Sequence, residues 1–246
     1  MKKGKGKAAA GAKVPEKKGK AAGNSKLPGA IVLIGPTGSG KTPLGEYMQR
    51  YGFMGRRTMH FDFGHHLRMV VAGQEPTPLL TQKDVEFIVG VLESGVLLED
   101  EHFHIAQRIL KNFLSMYSLT KDDLVILNGL PRHEGQARDV EKIVNVKALI
   151  VLDCTAHVVK SRIESNIGGD RKARPDDNIK AIERRLRIFQ QRTMSMINYY
   201  QGLGVKAARV KVGEASKPDE LAKKAAAELA ACKALKKTGV TAARSK

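Results

Sequence analysis

Gly35, Gly40, Lys41 and Thr42 stand in the stretch "AIVLIGPTGSGKTPLGEYM" at the spacing G-x-x-x-x-G-K-[ST]. Each residue type has a physical reason to be there. Glycines let successive backbone N–H groups converge on an anion, and a helix N-terminus adds partial positive charge. A lysine reaches the terminal phosphates, and a hydroxyl can ligate Mg²⁺. The run Gly35, Pro36, Thr37, Gly38, Ser39, Gly40, Lys41 and Thr42 is therefore the candidate ATP-binding loop. Pro43 falls in the first turn of the helix that follows, where its missing N–H had no intrahelical partner to lose. A loop of this kind names no reaction, because GTPases, ATPases, helicases and small-molecule kinases all use it.

Two later constellations narrow the chemistry. "LVILNGLPRHEGQA" ends an apolar run with Asn128, Gly129, Leu130, Pro131 and Arg132, and places Gln136 four residues on. "RKARPDDNIKAIERRL" gathers Arg174, Asp176, Asp177 and Arg185. Earlier, "FGHHLR" carries Arg68 and "SGVLLEDE" carries Val96 and Leu98. Taken in order from about residue 30 to 230, these stretches resemble the adenylate kinase family of nucleoside monophosphate kinases.

The resemblance implies an α/β P-loop NTPase fold: a five-stranded parallel sheet flanked by helices, with a helical NMP-binding arm and a short LID. It also implies reversible transfer of the γ-phosphoryl group of MgATP to AMP, giving two ADP. UMP or CMP as acceptor is the nearest alternative, and a non-catalytic nucleotide- or nucleic-acid-binding homologue is another. Carried over by position, Lys41 holds the β- and γ-phosphates. Arg68 and Arg132 grip the monophosphate, and Arg162, Arg174 and Arg185 close over the transferring group. The catalytic set is thus Lys41, Arg132, Arg162, Arg174 and Arg185. Gln136 reads the acceptor base, with Phe63, Gly129 and the backbone from Val96 to Leu98 lining the same pocket. Asp176 and Asp177 organise the LID by pairing with arginines. Arg171 reads as plain surface, the alternative being that it replaces a LID arginine where Asn166 departs from the pattern. Such a reaction needs in-line positioning and positive charge around the equatorial oxygens rather than a covalent nucleophile. A guanidinium fork suits those oxygens.

Three positions depart from the family. Asn128 stands where an aspartate is expected to hold water on Mg²⁺; an amide accepts from water but brings no negative charge. Phe63 stands where threonine commonly meets the adenine. Thr42 replaces a common glycine and adds a direct Mg²⁺ ligand, which is expected to offset Asn128 in part. The expected metal residues are therefore Thr42 and, through water, Asn128. Adjacent His65 and His66 face different ways on a helix, and they are not read as ligands. The chain's two cysteines, Cys154 and Cys232, have no metal spacing, so no structural zinc is expected.

The elements that position these residues are legible in the pattern. "AIVLI", "RTMHF", "DLVILN", "KALIVLD" and "VKAARVKV" read as strands. Helices are expected over 40–51, 64–73, 81–94, 100–117, 134–144, 156–165 and 177–201, with a final Ala/Lys helix from Ser216 or Pro218. Thr81 and Asp84 form a capping pair. Strands separated by helices predict parallel pairing with right-handed crossovers, and apolar runs that do not alternate predict cover on both faces. The domain reading is a kinase domain over 30–235, its NMP-binding arm about 62–98 and its LID about 166–176.

The net charge of +18 sits mostly outside that domain. Residues 1–30 hold nine Lys against one Glu. Too little apolar surface exists in 1–29 to build a core, so a disordered tail is expected there and another over 236–246. Non-specific nucleic-acid contact through these tails is one expectation. The remaining expectations are a cytoplasmic monomer, with no membrane span and with ATP and AMP as its partners.

Overall fold

The computed structural model describes residues 26–75, 80–169 and 179–238. In chain order these form β1 (Gly29–Ile34), α1 (Lys41–Tyr51), β2 (Thr58–Asp62), α2 (Phe63–Val71), α3 (Gln82–Ser94) and a 3₁₀ turn (Asp100–His102). There follow α4 (Phe103–Ser115), β3 (Leu124–Asn128), α5 (Glu134–Val140), β4 (Asn145–Asp153) and α6 (Ala156–Glu164). The described residues close with α7 (Ile179–Ile188), a π-helical turn (Phe189–Thr193), α8 (Met194–Gly202), β5 (Lys206–Lys211) and α9 (Pro218–Thr238).

The strands form one five-stranded sheet in the order β2-β3-β1-β4-β5, every pair parallel. Successive side chains on a strand point to opposite faces, so each strand feeds two cores. Ala30, Val32 and Ile34 pack with Phe61, Val125, Leu127, Leu149 and Val151 under α2, α4, α5 and α8. Ile31 and Leu33 pack with Ile126, Ile150, Leu152 and Val210 under α1 and α9. Both faces are covered, which is why the central strands β1, β3 and β4 carry unbroken apolar runs. In α9, Leu221, Ala222, Ala225 and Leu229 supply the buried stripe.

Local signals behave as their chemistry requires. Thr81 accepts from the Asp84 N–H at 3.2 Å while the Asp84 carboxylate accepts from the Thr81 N–H at 2.8 Å, a complete capping box at the start of α3. Pro43 sits inside the first turn of α1. Three expected helices differ. That over 100–117 is a 3₁₀ turn followed by α4. That over 134–144 stops at Val140, because the chain must turn to deliver Asn145, whose N–H donates to Pro28 O at 2.8 Å. The long helix is α7 and α8 joined by the π turn, and the Thr193 hydroxyl at its end donates to Arg132 O at 2.9 Å. A π turn widens the ladder by one residue, a feature that periodicity alone does not reveal. No helix among the described residues is long and apolar enough to cross a membrane.

His60 on β2 illustrates the packing between α1 and the sheet. Its ring lies where a Cβ on Gly45 would have to be. Its Nε2 is enclosed with no hydrogen-bond partner among the described residues. Burial pushes the imidazole down to about 4, against partial opposition from the Asp62 charge. A base whose folded value is depressed adds stability that is complete above its ordinary value and is lost as pH falls through the folded one. Wild-type urea midpoints should therefore decline from about pH 6.5 to about pH 4, and His60→Leu should lessen that decline. Gly45→Ala should destabilise by about 1–3 kcal/mol through overpacking, measured by the same unfolding curves at pH 7.

Candidate active site

The parallel register places the C-terminal ends of three strands side by side. Leu33 of β1 pairs with Asn128 of β3, and Asn128 pairs in turn with Asp62 of β2. Ligands of open α/β sheets lie along this edge. The glycine-rich loop leaves β1 here and enters α1. Gly40 has φ +94, and a Cβ on it would meet the Arg162 guanidinium at 3.0 Å, so two constraints exclude a side chain. Lys41 Nζ donates to Gly35 O at 2.7 Å and to Pro36 O at 2.8 Å, folded back over its own loop.

A single cleft runs from this loop toward α2 and α3. Gly35, Thr37, Gly38, Gly40, Lys41 and Thr42 line one end. Arg68, Gly129, Arg132, Val96 and Arg185 line the other, with Ile188, Phe189 and Thr193 from the α7–π segment closing the wall. Arg162 also reaches the lining. The cleft thus gathers Lys41, Arg68, Arg132, Arg162 and Arg185 from widely separated parts of the chain.

Two of these arginines are held by backbone. Arg162 is 5% exposed. Its Nη1 donates to Gly213 O, Glu214 O and Ser216 O, and its Nε donates to Gly38 O at 3.3 Å. It clamps the phosphate loop to the segment between β5 and α9. Arg132 Nε donates to Gly129 O at 3.0 Å, and its N–H donates to Gln136 Oε1 at 2.9 Å. Gly129 has φ +79, and the Leu130–Pro131 bond is cis.

Other expected residues take different places. Gln136 is 1% exposed and is absent from the cleft lining. Its Oε1 serves Arg132, and its Nε2 donates to Leu98 O at 2.7 Å. In this arrangement Gln136 positions Arg132 and the Leu98 backbone. Phe63 is buried in the core against Phe61, with ring centroids 6.2 Å apart, and does not line the cleft. Pro36 and Ser39 lie behind the loop surface, and the Ser39 hydroxyl is enclosed without a partner among the described residues. Arg174, together with Arg171, Asp176 and Asp177, lies outside the described residues, as does most of the expected LID.

Sequence reasoning missed Asp62. Its Oδ2 accepts from the Thr42 hydroxyl at 2.6 Å and from Asn128 Nδ2 at 2.8 Å, and Nδ2 also donates to Thr42 Oγ1 at 3.0 Å. Its Oδ1 accepts from the His65 N–H at 3.0 Å and caps α2. The amide orientation of Asn128 follows from this, since an amide oxygen facing the carboxylate would repel it. The available signal was an acid at the end of "MHFD", but only the β2–β3 pairing shows that this end lies beside Asn128.

Chemically, the cleft can hold a polyphosphate at the loop and a second anion at Arg68 and Arg132. Arg185 stands in the same lining. Thr42 Oγ1 and the Asp62 carboxylate are hard oxygen donors, a set suited to Mg²⁺.

No protein-family model matches the chain. It is 25% identical over 201 residues to a UMP-CMP kinase 3 of Arabidopsis thaliana, covering 80% of this chain and 87% of that protein. It is 26% identical over 198 residues to an adenylate kinase of Rickettsia bellii, covering 70% of this chain and 86% of that protein. An adenylate kinase isoenzyme 5 of Mus musculus is 27% identical over 182 residues, 72% of this chain and 29% of that protein.

The Gln136 contacts give a direct test. Gln136→Leu keeps the volume but leaves the Arg132 N–H without its partner and the Leu98 carbonyl with only the longer His133 Nε2 contact at 3.3 Å. Stability should fall by about 1–3 kcal/mol, the cost of a buried unsatisfied polar group, read as a drop in urea midpoint with unchanged slope.

Proposed function

We propose, from the premise that this chain is a member of the nucleoside monophosphate kinase family and a phosphotransferase, that it moves the γ-phosphoryl group of MgATP reversibly to AMP, giving two ADP. The observation that carries this reading is the cleft itself, in which a phosphate loop faces Arg68, Arg132 and Arg185.

A monophosphate oxygen of the acceptor attacks the γ-phosphorus. The bond to the bridging β–γ oxygen breaks, ADP leaves, and no proton need be abstracted from the acceptor. The work is positioning and charge stabilisation. Lys41 exchanges its two loop carbonyls for β- and γ-phosphate oxygens. Arg68 and Arg132 hold the acceptor's phosphate, Arg132 with its backbone already anchored at both N–H and C=O. Arg162, fixed by four carbonyls, reinforces the loop on the ATP side. Arg185 and Arg174 add positive charge where the equatorial oxygens pass. Residues 62–98 serve as the acceptor arm, and 166–176 as a lid that excludes water so that ATP is not hydrolysed.

The oxygen donors at the loop end fit Mg²⁺. Thr42 would hold it, with Asn128 acting through a water molecule. When bound, the ion supplies charge neutralisation of the polyphosphate.

For AMP as acceptor, support comes from the likeness to adenylate kinases. The likeness to a UMP-CMP kinase supports a pyrimidine acceptor as the second reading, and the Gln136 amide, engaged at both ends by Arg132 and Leu98, selects neither base. The chain is proposed to work as a monomer in the cytoplasm, with its Lys-rich N-terminal tail available for non-specific contact with nucleic acid.

A coupled assay for ADP with MgATP and AMP, CMP, UMP or GMP decides the acceptor. The expected result is the highest kcat/KM with AMP; a higher value with UMP or CMP would shift the acceptor, and no turnover with any would overturn the enzyme reading. Arg132→Ala should lower kcat roughly 10²- to 10³-fold.

A further inference from the structure

The cleft is rich in positive charge and poor in negative. Among the described residues that line it are Lys41, Arg68, Arg132, Arg162 and Arg185, and Asp62 alone is acidic. MgATP binding asks for the opposite at one point, because a cation beside a lysine and several arginines needs a fixed negative charge close by. Asn128 cannot provide it. Asp62 stands one strand over, in register with Asn128 and hydrogen-bonded to it.

We propose that Asp62 is the carboxylate that holds the divalent cation of MgATP, sharing it with the Thr42 hydroxyl, while the Asn128 amide fixes both. This rests on the kinase reading above. Three features of the geometry converge on it. The first is a division of labour within the carboxylate: Oδ1 caps α2, whereas Oδ2 turns to Thr42, the second residue of α1, beside the phosphate loop. The second is the closed triangle of Thr42 Oγ1, Asp62 Oδ2 and Asn128 Nδ2, with edges of 2.6, 2.8 and 3.0 Å. The amide N–H groups orient both oxygens, as outer partners orient metal ligands elsewhere. The third is electrostatic. A carboxylate at position 128 would lie against Asp62, and two carboxylates at such a distance cannot both ionise easily. Asn128 therefore complements Asp62, and the negative charge has moved from β3 to β2 rather than being lost.

The test separates a cation-holding role from a structural one. Binding of a non-hydrolysable ATP analogue to the full chain is measured by calorimetry in excess Mg²⁺ and in EDTA, and the ratio of the two dissociation constants is read. Asp62→Asn keeps an oxygen that can cap α2 but removes the charge. Binding in Mg²⁺ should weaken, whereas metal-free binding should tighten because a negative charge facing the polyphosphate is gone. The EDTA-to-Mg²⁺ ratio should fall roughly 10- to 100-fold. A structural lesion would instead weaken both. Asp62→Ser, which also retains a capping oxygen, should lower the ratio likewise, and the double variant Asp62→Asn/Asn128→Asp should restore it. A ratio unchanged in Asp62→Asn, with Mg²⁺ still favouring binding to the wild-type chain, would overturn this inference alone. A wild-type chain that binds the analogue equally with and without Mg²⁺ would overturn the MgATP reading and this inference together.

Discussion

The parallel register of β1, β3 and β2 is the constraint on which the rest of the site depends. It brings Leu33, Asn128 and Asp62 to one edge of the sheet, although they are far apart in sequence. A shift of one residue in the β2–β3 register would turn Asp62 toward the opposite face. The Thr42–Asp62–Asn128 triangle would then be broken, and the α2 cap with it. The apolar packing of Phe61 on one face and the enclosed His60 ring on the other hold that register. Core packing and site chemistry are thus set by the same few residues of β2.

The arginines of the cleft are anchored by a second device. A flexible guanidinium aimed at phosphate loses conformational entropy when it binds. Here part of that loss is already incurred during folding. Arg162 is pinned by carbonyls from two loops, and Arg132 is gripped at its N–H, its C=O and its side chain. Backbone carbonyls are suitable partners because they orient a cation without cancelling its charge, as a carboxylate would. The cleft remains positive while its cations stay in place.

Much of this was legible in the sequence where the signal is local. The loop "GPTGSGKT", the Thr81–Asp84 cap and the five strands needed only neighbours within a few residues. Arg68, Arg132, Arg162 and Arg185, singled out from the sequence, all line one cleft. What escaped depends on non-local geometry. Asp62 looks like an ordinary helix cap until β2 is paired with β3. Phe63 occupies a position whose side chain could meet a base, yet its apolar ring is better accommodated against Phe61. Gln136 has the right chemistry for base reading, but sequence cannot tell that a buried carbonyl and a buried N–H lie within its reach. The π turn escaped because its 3.6-residue periodicity is interrupted only over Phe189–Thr193.

That π turn ties the cleft wall to Arg132. By adding a residue to the helical ladder it sets Thr193 against Arg132 O, while Ile188 and Phe189 form the cleft wall. The same rod reaches the end of α3 and the segment after it: Arg184 donates to Ser94 O at 2.9 Å, and Arg192 forms a bidentate pair with Glu99. Glu99 is held below the usual carboxylate range, chiefly by its hydrogen bond to Arg192. Arg185, on the same rod, reaches the cleft lining. A displacement of α7 would therefore act on Arg132 through Thr193, on the end of α3 through Ser94 and Glu99, and on the charge that Arg185 presents. These are not independent contacts, because one continuous helical segment carries them all. The rod makes the position of Arg132 and the shape of the cleft a single mechanical variable.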